Sequence, residues 1–351
     1  MAVVLSTAKT LAEYQYPQSA IEPWISDWLL GMGKNPDTAV RICRNAEVNL
    51  RSSVLPIEEV FRPKSLTESN RLYEENMIRL GAKVSRIAIE GAGLTPNDIN
   101  LVISVSCTGF MIPSVDAYLI EELGMGFETK RFPITELGCA AGAAGLSRAR
   151  EYLRGFPDHQ VLLVSVELPT LTFRFDDHSL DNIVSVAIFG DGAAAAVLSG
   201  RAEIGRPEIV DSSTTTIPNS TGLMGFRLGE KGFQILLSKE IPLVVKEQVR
   251  PIVEKFLAEN RLSIERIDHF LLHPGGKRIL EVYKDVLGVS DEALHFSRKI
   301  LGECGNVSSS TILMVLDEVL QSSQVQSGDT GIMMAMGPGF SVEQLLVCWS
   351  N

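Results

Sequence analysis

The sequence predicts an α/β protein built from two similar halves, because three kinds of segment each occur twice in the same order. In the first half, Leu94-Thr-Pro-Asn-Asp-Ile-Asn-Leu-Val-Ile-Ser-Val leads into Ser106-Cys-Thr-Gly. In the second, Leu262-Ser-Ile-Glu-Arg-Ile-Asp-His-Phe-Leu-Leu leads into His273-Pro-Gly-Gly. Glu136-Leu-Gly-Cys-Ala-Ala-Gly is answered by Gly302-Glu-Cys-Gly-Asn-Val-Ser, and Phe189-Gly-Asp-Gly by Met336-Gly-Pro-Gly. The offset is about 150 to 170 residues, too long for a solenoid and right for two fused copies of one unit. The halves are expected at 1–205 and 206–351, with no physical gap between them. Equivalent helices then begin near one axis, and Cys139, His273 and Asn306 are the polar residues placed there.

Residues 17–90 read mostly as helix and loop, with helical spacing of apolar residues over 70–90 and an exit at Gly91. Residues 101–105 are nearly all apolar, as in a parallel strand covered on both faces. Residues 132–138 read as strand and turn, which puts Cys139 at a helix start. Residues 161–166 and 183–189 have the same buried-strand character as 101–105. The stretch 204–220 begins strand-like and turns polar, yet is too β-branched for a floppy linker. A helix is expected over 238–259, carrying Ile241, Val245, Val249 and Phe256 on one face and Pro242 in its first turn, where proline is tolerated. Strands close the second half at 270–272, 331–336 and 344–349.

Hydrophobic residues are 45% and charged residues 21% of 351, which fits a globular enzyme. A formal charge of -11 argues against non-specific attraction to nucleic acid or anionic membranes. The first residues lack the basic head and apolar run of a secretion signal, and no apolar stretch is long enough to insert in a membrane. A cytoplasmic location is therefore expected. The five cysteines and five histidines show no metal-ligand spacing, so no metal site is expected. Neither G-x-G-x-x-G nor a Gly-Lys-Ser/Thr phosphate loop is present, which removes the best-marked nucleotide-binding classes.

Cys139 stands before Ala140-Ala141-Gly142, so unpaired N–H groups and the helix field would favour its thiolate. A buried packing cysteine is the competing reading, and Cys43, Cys107, Cys304 and Cys348 are read as packing residues by their surroundings. His273 follows an apolar strand end and precedes a sharp turn, the usual place for ligand chemistry in α/β sheets; a turn histidine bonded to backbone is the alternative. Asn306 opens a helix, where asparagine is also a good cap. The repeat aims all three at one place. Thiol, imidazole and amide in that order also describe papain-like proteases, but no local signature of that family is present.

The chain resembles the type III polyketide synthases, the chalcone-synthase-like branch of the thiolase superfamily. The matching segments are Cys107-Thr-Gly-Phe-Met-Ile-Pro-Ser, Leu137-Gly-Cys-Ala-Ala-Gly, Ile188-Phe-Gly-Asp-Gly-Ala, His273-Pro-Gly-Gly, Gly305-Asn-Val-Ser-Ser and Gly337-Pro-Gly-Phe-Ser-Val-Glu. β-Ketoacyl carrier-protein synthase III carries His-Gln-Ala-Asn in place of the histidine motif. The resemblance implies a thiolase fold layered α-β-α-β-α. It also implies that Cys139 accepts a starter acyl group from coenzyme A. His273 would keep that thiol ionised and then, with Asn306, hold the malonyl thioester carbonyl as decarboxylation makes it an enolate.

By the same resemblance Phe189 and Phe233 match aromatic gatekeepers, and Cys107, Pro169, Thr172, Met224 and Ser308 match pocket positions. Ile112 would cross a twofold interface into the partner's cavity, implying a homodimer. Arg41, Arg44 and Arg51 lie in the region that contacts coenzyme A. Substrates would be acyl-CoA and malonyl-CoA, with no permanently bound cofactor. An aliphatic starter giving alkylpyrone or alkylresorcinol is the leading expectation, ahead of malonyl-only tetrahydroxynaphthalene synthesis or a carrier-protein-dependent β-ketoacyl synthase. An acyl-binding scaffold without catalysis would have little reason to keep Cys139, His273 and Asn306 together.

Overall fold

The computed structural model describes residues 1–203 and 205–349. In chain order the first elements are β1 (Val3–Leu11), β2 (Tyr14–Pro17), α1 (Gln18–Gly31), α2 (Asp37–Asn45), β3 (Leu50–Ser53), α3 (Ile57–Val60) and α4 (Leu66–Gly91). There follow β4 (Leu101–Val105), α5 (Val115–Leu123), β5 (Lys130–Ile134), α6 (Ala141–Gly155), β6 (Gln160–Glu167), α7 (Leu180–Ile188) and β7 (Gly192–Ser199). The remainder is β8 (Pro207–Thr216), β9 (Met224–Gly229), β10 (Gly232–Leu237), α8 (Ile241–Glu259), β11 (His269–Leu272) and α9 (Lys277–Leu287). The chain closes with α10 (His295–Cys304), α11 (Ser309–Gln321), β12 (Thr330–Gly337) and β13 (Ser341–Trp349).

The main sheet runs β11-β12-β13-β8-β1-β7-β6-β4-β5. Its two parts meet where β1 and β8 pair at Val3 and Glu208, so each half of the chain supplies most of one part. Three apolar clusters set the layers. One packs Tyr73, Met77 and Leu80 of α4 and Leu119 of α5 against Val102, Leu162 and Val197 of the first part. A second packs Ala143 and Leu146 of α6 and Ile312 and Leu316 of α11 between Ile103 and Leu163 on one side and Leu271, Met333 and Leu345 on the other. The third sets Val245 and Val249 of α8 and Leu280 and Tyr283 of α9 on Phe270, Leu272, Ile332 and Met334. The order is helix, sheet, helix, sheet, helix: the layered α/β architecture of the thiolase fold.

Local chemistry explains most elements. Ser65 caps α4 by accepting the Glu68 N–H at 3.1 Å, and Pro242 lies in the first turn of α8. Residues of β4 are buried throughout, as a strand flanked by two parallel neighbours requires. The buried strand expected over 183–189 is instead the end of helix α7. Ser179 Oγ accepts the Asn182 N–H at 3.3 Å and starts a helical turn that the β-branched run then follows. A short apolar run fits either period, and the cap decides. The polar residues 211–216 stay in β8 because β13 pairs with them from Ser341 to Leu346. Ile204, where that stretch was expected to begin, lies outside the described residues. Within 17–90, Leu50–Ser53 is a strand, β3, absent from the helix-and-loop reading, and it pairs with β2 just before that stretch. Among the described residues, no helix is long and apolar enough to cross a membrane.

Candidate active site

Cys139 sits on a tight turn, Gly138–Ala140, that runs into the N-terminus of α6. Two glycines let this turn approach the second half. A Cβ on Gly138, whose φ is +51°, would lie 2.5 Å from Pro338 Cδ. One on Gly142 would lie 2.2 Å from the Ser309 carbonyl oxygen. The starts of α6 and α11 are thereby brought together, and the Cys139 thiol donates to Ser308 Oγ at 3.7 Å.

Asn306 precedes α11 by a short turn. Its N–H donates to the Ile188 carbonyl at 2.8 Å, and its carbonyl accepts from Gly190 N–H at 3.0 Å, making a parallel bridge to Phe189. Its Oδ1 accepts from Ser308 N–H at 2.8 Å, while Nδ2 donates to the Gly275 carbonyl at 3.3 Å. The second amide hydrogen of that side chain is left for the Cys139 sulfur. His273 directly follows β11, its N–H donating to the Met334 carbonyl at 2.9 Å, and both ring nitrogens are buried without a partner. Cys139, His273 and Asn306 all line one cavity of about 1640 Å³.

Burial pushes the Cys139 thiol up to about 12, against hydrogen bonds with Ser308 and Asn306 that pull it down. Burial alone pushes His273 down to about 4. The thiolate and imidazolium expected from the sequence are therefore each disfavoured singly. Desolvation outweighs the helix field here, so both groups rest neutral before any substrate arrives.

The chalcone and stilbene synthase N-terminal domain matches residues 41–202, and the C-terminal domain of the same family matches 208–349. A putative chalcone synthase of Bacillus subtilis is 35% identical, with 100% of both chains covered. An alpha-pyrone synthesis polyketide synthase-like protein of Mycobacterium tuberculosis is 30% identical over 84% of this chain and 78% of that one. The crystal structure of 1,3,6,8-tetrahydroxynaphthalene synthase from Streptomyces coelicolor superposes with a TM-score of 0.95 at 29% identity, covering 99% of each chain. The chain belongs to the chalcone and stilbene synthase family. It is a type III polyketide synthase, an enzyme of the acyltransferase kind.

The wall of this synthase's cavity includes Cys107, Ile112, Pro169, Thr172, Phe189, Met224, Phe233 and Ser308. Phe189 follows the end of α7, and Phe233 on β10 meets the Phe226 ring edge-on with centroids 5.6 Å apart. Ile112 stands at the outer edge and is 82% exposed. Cys107 packs within the cavity wall and is also held by polar partners. Its Sγ lies 3.4 Å from Glu167 Oε1 and 3.5 Å from Ser308 Oγ, and burial, then the Glu167 charge, hold the thiol well up. Glu167 was not singled out in the sequence. It accepts from Cys107 N–H at 3.1 Å, from Thr108 Oγ1 at 2.8 Å and from Ser309 Oγ, while burial raises its carboxyl. A lone carboxylate closing the apolar run 161–166 was the available signal.

The three arginines separate. Arg41 lines the cavity. Arg44 is exposed, pairs with Glu22 at 3.0 Å and does not reach the cavity wall. Arg51 is buried within β3 and donates to the Val186 and Phe189 carbonyls, so its charge does not face an incoming phosphate. Sequence spacing shows the charge but not the direction in which the strand turns it. Lys239, Lys277 and Arg278 line the cavity instead, and the pair directly behind His273-Pro-Gly-Gly was the missed signal. Among the described residues, no cluster of His, Cys, Asp and Glu is placed to hold a metal ion.

Proposed function

We propose that this synthase loads an aliphatic acyl group from coenzyme A onto Cys139, extends it with malonyl-CoA and releases an alkylpyrone or alkylresorcinol. What carries the reading is the cavity. Its wall beyond the reacting groups is largely apolar, with Met77, Val184, Met224, Phe226, Ile235 and Ile241 among its side chains. Such a wall suits an alkyl chain better than a hydroxylated ring that needs placed hydrogen-bond partners.

Cys139 attacks the starter thioester, its proton passing to His273 and then to the departing coenzyme A sulfur. The malonyl carboxylate leaves as carbon dioxide, and its bonding pair becomes an enolate. Asn306 Nδ2 and an N–H of His273 donate to the enolate oxygen. The enolate carbon attacks the Cys139 thioester, frees the thiolate and leaves the lengthened chain on coenzyme A. Arg41, Lys239, Lys277 and Arg278 hold the phosphates at the mouth. No resident cofactor is needed, because coenzyme A thioesters are the substrates. We assign the enzyme to the cytoplasm, where both thioesters are at hand, and to a homodimer with Ile112 at its interface. The halves 1–205 and 206–351 act as one catalytic body, the first supplying the thiol and the second its two partners.

A second reading is favoured by the likeness to tetrahydroxynaphthalene synthase and by Cys107 beside Ser308. In it malonyl-CoA serves as both starter and extender. A panel of starters from acetyl-CoA to long-chain acyl-CoA, with a malonyl-only control and product masses, separates the two. Faster turnover with alkyl starters supports the first. Efficient naphthalene formation in the control, with no gain from any alkyl starter, replaces it by the second.

A further inference from the structure

Arg51 is a buried cation that the reaction scheme leaves without a task. It is 7% exposed, and its guanidinium donates from one nitrogen to the Val186 carbonyl and, at 3.1 Å, to the Phe189 carbonyl. These carbonyls lie at the C-terminal end of α7, where helical N–H donors have run out and a positive charge is favoured. The next residues are the bridge already described. Asn306 N–H bonds the Ile188 carbonyl at 2.8 Å, and Gly190 N–H bonds the Asn306 carbonyl at 3.0 Å.

The stem of Arg51 reaches the same bridge from its other strand. Gly305 has φ +70°, and a Cβ there would lie 3.2 Å from Arg51 Cγ and 2.7 Å from the Ile188 carbonyl oxygen. One side chain therefore touches both backbone segments that carry Phe189 and Asn306. Behind Phe189 lies a small cavity of about 50 Å³, walled by Arg51, Ser185, Pro169 and Phe173. Phe189 lines this space and the main cavity alike. Asp191 braces the arrangement: its carboxylate accepts from Val54 N–H and Thr170 N–H, each at 2.9 Å, and against the burial that lowers Arg51 to about 10 its charge favours the charged guanidinium.

We propose that Arg51 is a positioning residue that pins the Phe189–Asn306 bridge from behind, holding the Asn306 amide in register with the malonyl carbonyl. It rests on the assignment of Asn306 as a donor to the enolate. Arg51 acts on neither substrate nor proton. Its effect is the geometry of a donor carried on the neighbouring strand.

The test is malonyl-CoA decarboxylation by Arg51→Met and Arg51→Lys, with Asn306→Ala and iodoacetamide alkylation of Cys139 measured alongside, well below each variant's melting temperature. Because a displacement near 1 Å costs up to about a hundredfold, Arg51→Met is expected to lose on the order of tenfold in kcat, with KM for malonyl-CoA nearly unchanged. Arg51→Lys, which keeps a charged donor, recovers part of that loss, and the alkylation rate stays at the wild-type value. A folded Arg51→Met with wild-type kcat, beside a disabled Asn306→Ala, overturns this inference alone. Equal losses in decarboxylation and alkylation also overturn it, since they mark general loosening. Normal decarboxylation by Asn306→Ala overturns the assignment of Asn306 and the inference with it. Should Arg51→Met not fold, Arg51→Lys decides: a lowered kcat at unchanged KM supports the inference, and wild-type kcat refutes it.

Discussion

The Cys139 thiol donates to the Ser308 hydroxyl, 3.7 Å away, across the point where the starts of α6 and α11 meet. The thiol from the first half thus rests on the second half before any substrate arrives. It has no charged partner in that contact, and burial pushes it up to about 12. In the proposed reaction its proton passes to His273, and that step can be tested.

The first prediction follows from that pair. Alkylation of Cys139 by iodoacetamide, followed against pH, should show an inflexion lower in the wild-type enzyme than in His273→Gln. With the imidazole present the thiol can ionise as half of a pair; without it, burial holds the proton on sulfur to higher pH. Mass mapping should find Cys139 labelled ahead of Cys43 and Cys304, which are buried and do not line the cavity. Superimposed profiles for the two proteins would show that His273 does not share the Cys139 proton.

Asn306 and Cys139 should separate the two chemical steps. Asn306→Ala is expected to slow malonyl-CoA decarboxylation by roughly a hundredfold, the effect of removing one preorganised donor to a developing oxyanion. Cys139→Ala should abolish acyl loading yet retain part of the decarboxylation. Normal rates in Asn306→Ala would reduce Asn306 to a turn residue that serves Ser308 N–H.

Gly142 should tolerate no side chain. A methyl group there would meet the Ser309 carbonyl at 2.2 Å and Ile312 Cγ2 at 2.7 Å, so α6 and α11 must separate. Overpacking of this sort costs about 1–3 kcal/mol or more, and Gly142→Ala should unfold at correspondingly lower urea. An unchanged midpoint with full activity would mean that the two helices do not cross this closely.

Glu167 should matter to stability as well as to the pocket. Glu167→Ala takes the acceptor from Cys107 N–H and the Thr108 hydroxyl, while Ser309 Oγ keeps Ser165 Oγ at 2.8 Å. Each unpaired buried donor costs about 1–3 kcal/mol, so the loss should exceed about 2 kcal/mol in chemical denaturation. Glu167→Gln, which retains an acceptor oxygen, should lose less. Equal and small losses in both variants would argue that water replaces the carboxylate.

The proposed homodimer can be tested at the loop before α5. Phe110 is 59% and Ile112 82% exposed within a few residues of each other, beside the cavity edge. Sedimentation at micromolar concentration should give a dimer, and Ile112→Glu should shift it toward monomer. A wild-type monomer with intact activity would remove the homodimer from the proposal.

The repeat, the glycine turns and the apolar strands were legible in the linear order, because strand burial and tight turns are set by near neighbours and by residue size. They determined an α/β fold in two similar halves and picked out Cys139, His273 and Asn306. Three matters needed the tertiary structure. Residues 183–189 could follow either a strand or a helix period, and the Ser179 cap with its packing chose the helix. Arg41 and Arg51 look alike in sequence, but β3 turns Arg51 inward onto the end of α7 while Arg41 stays on the cavity wall. The charge state of Cys139 was read from a helix start, which is local. Desolvation is not local: it depends on every atom that closes around the thiol and the imidazole, and those atoms come from both halves of the chain.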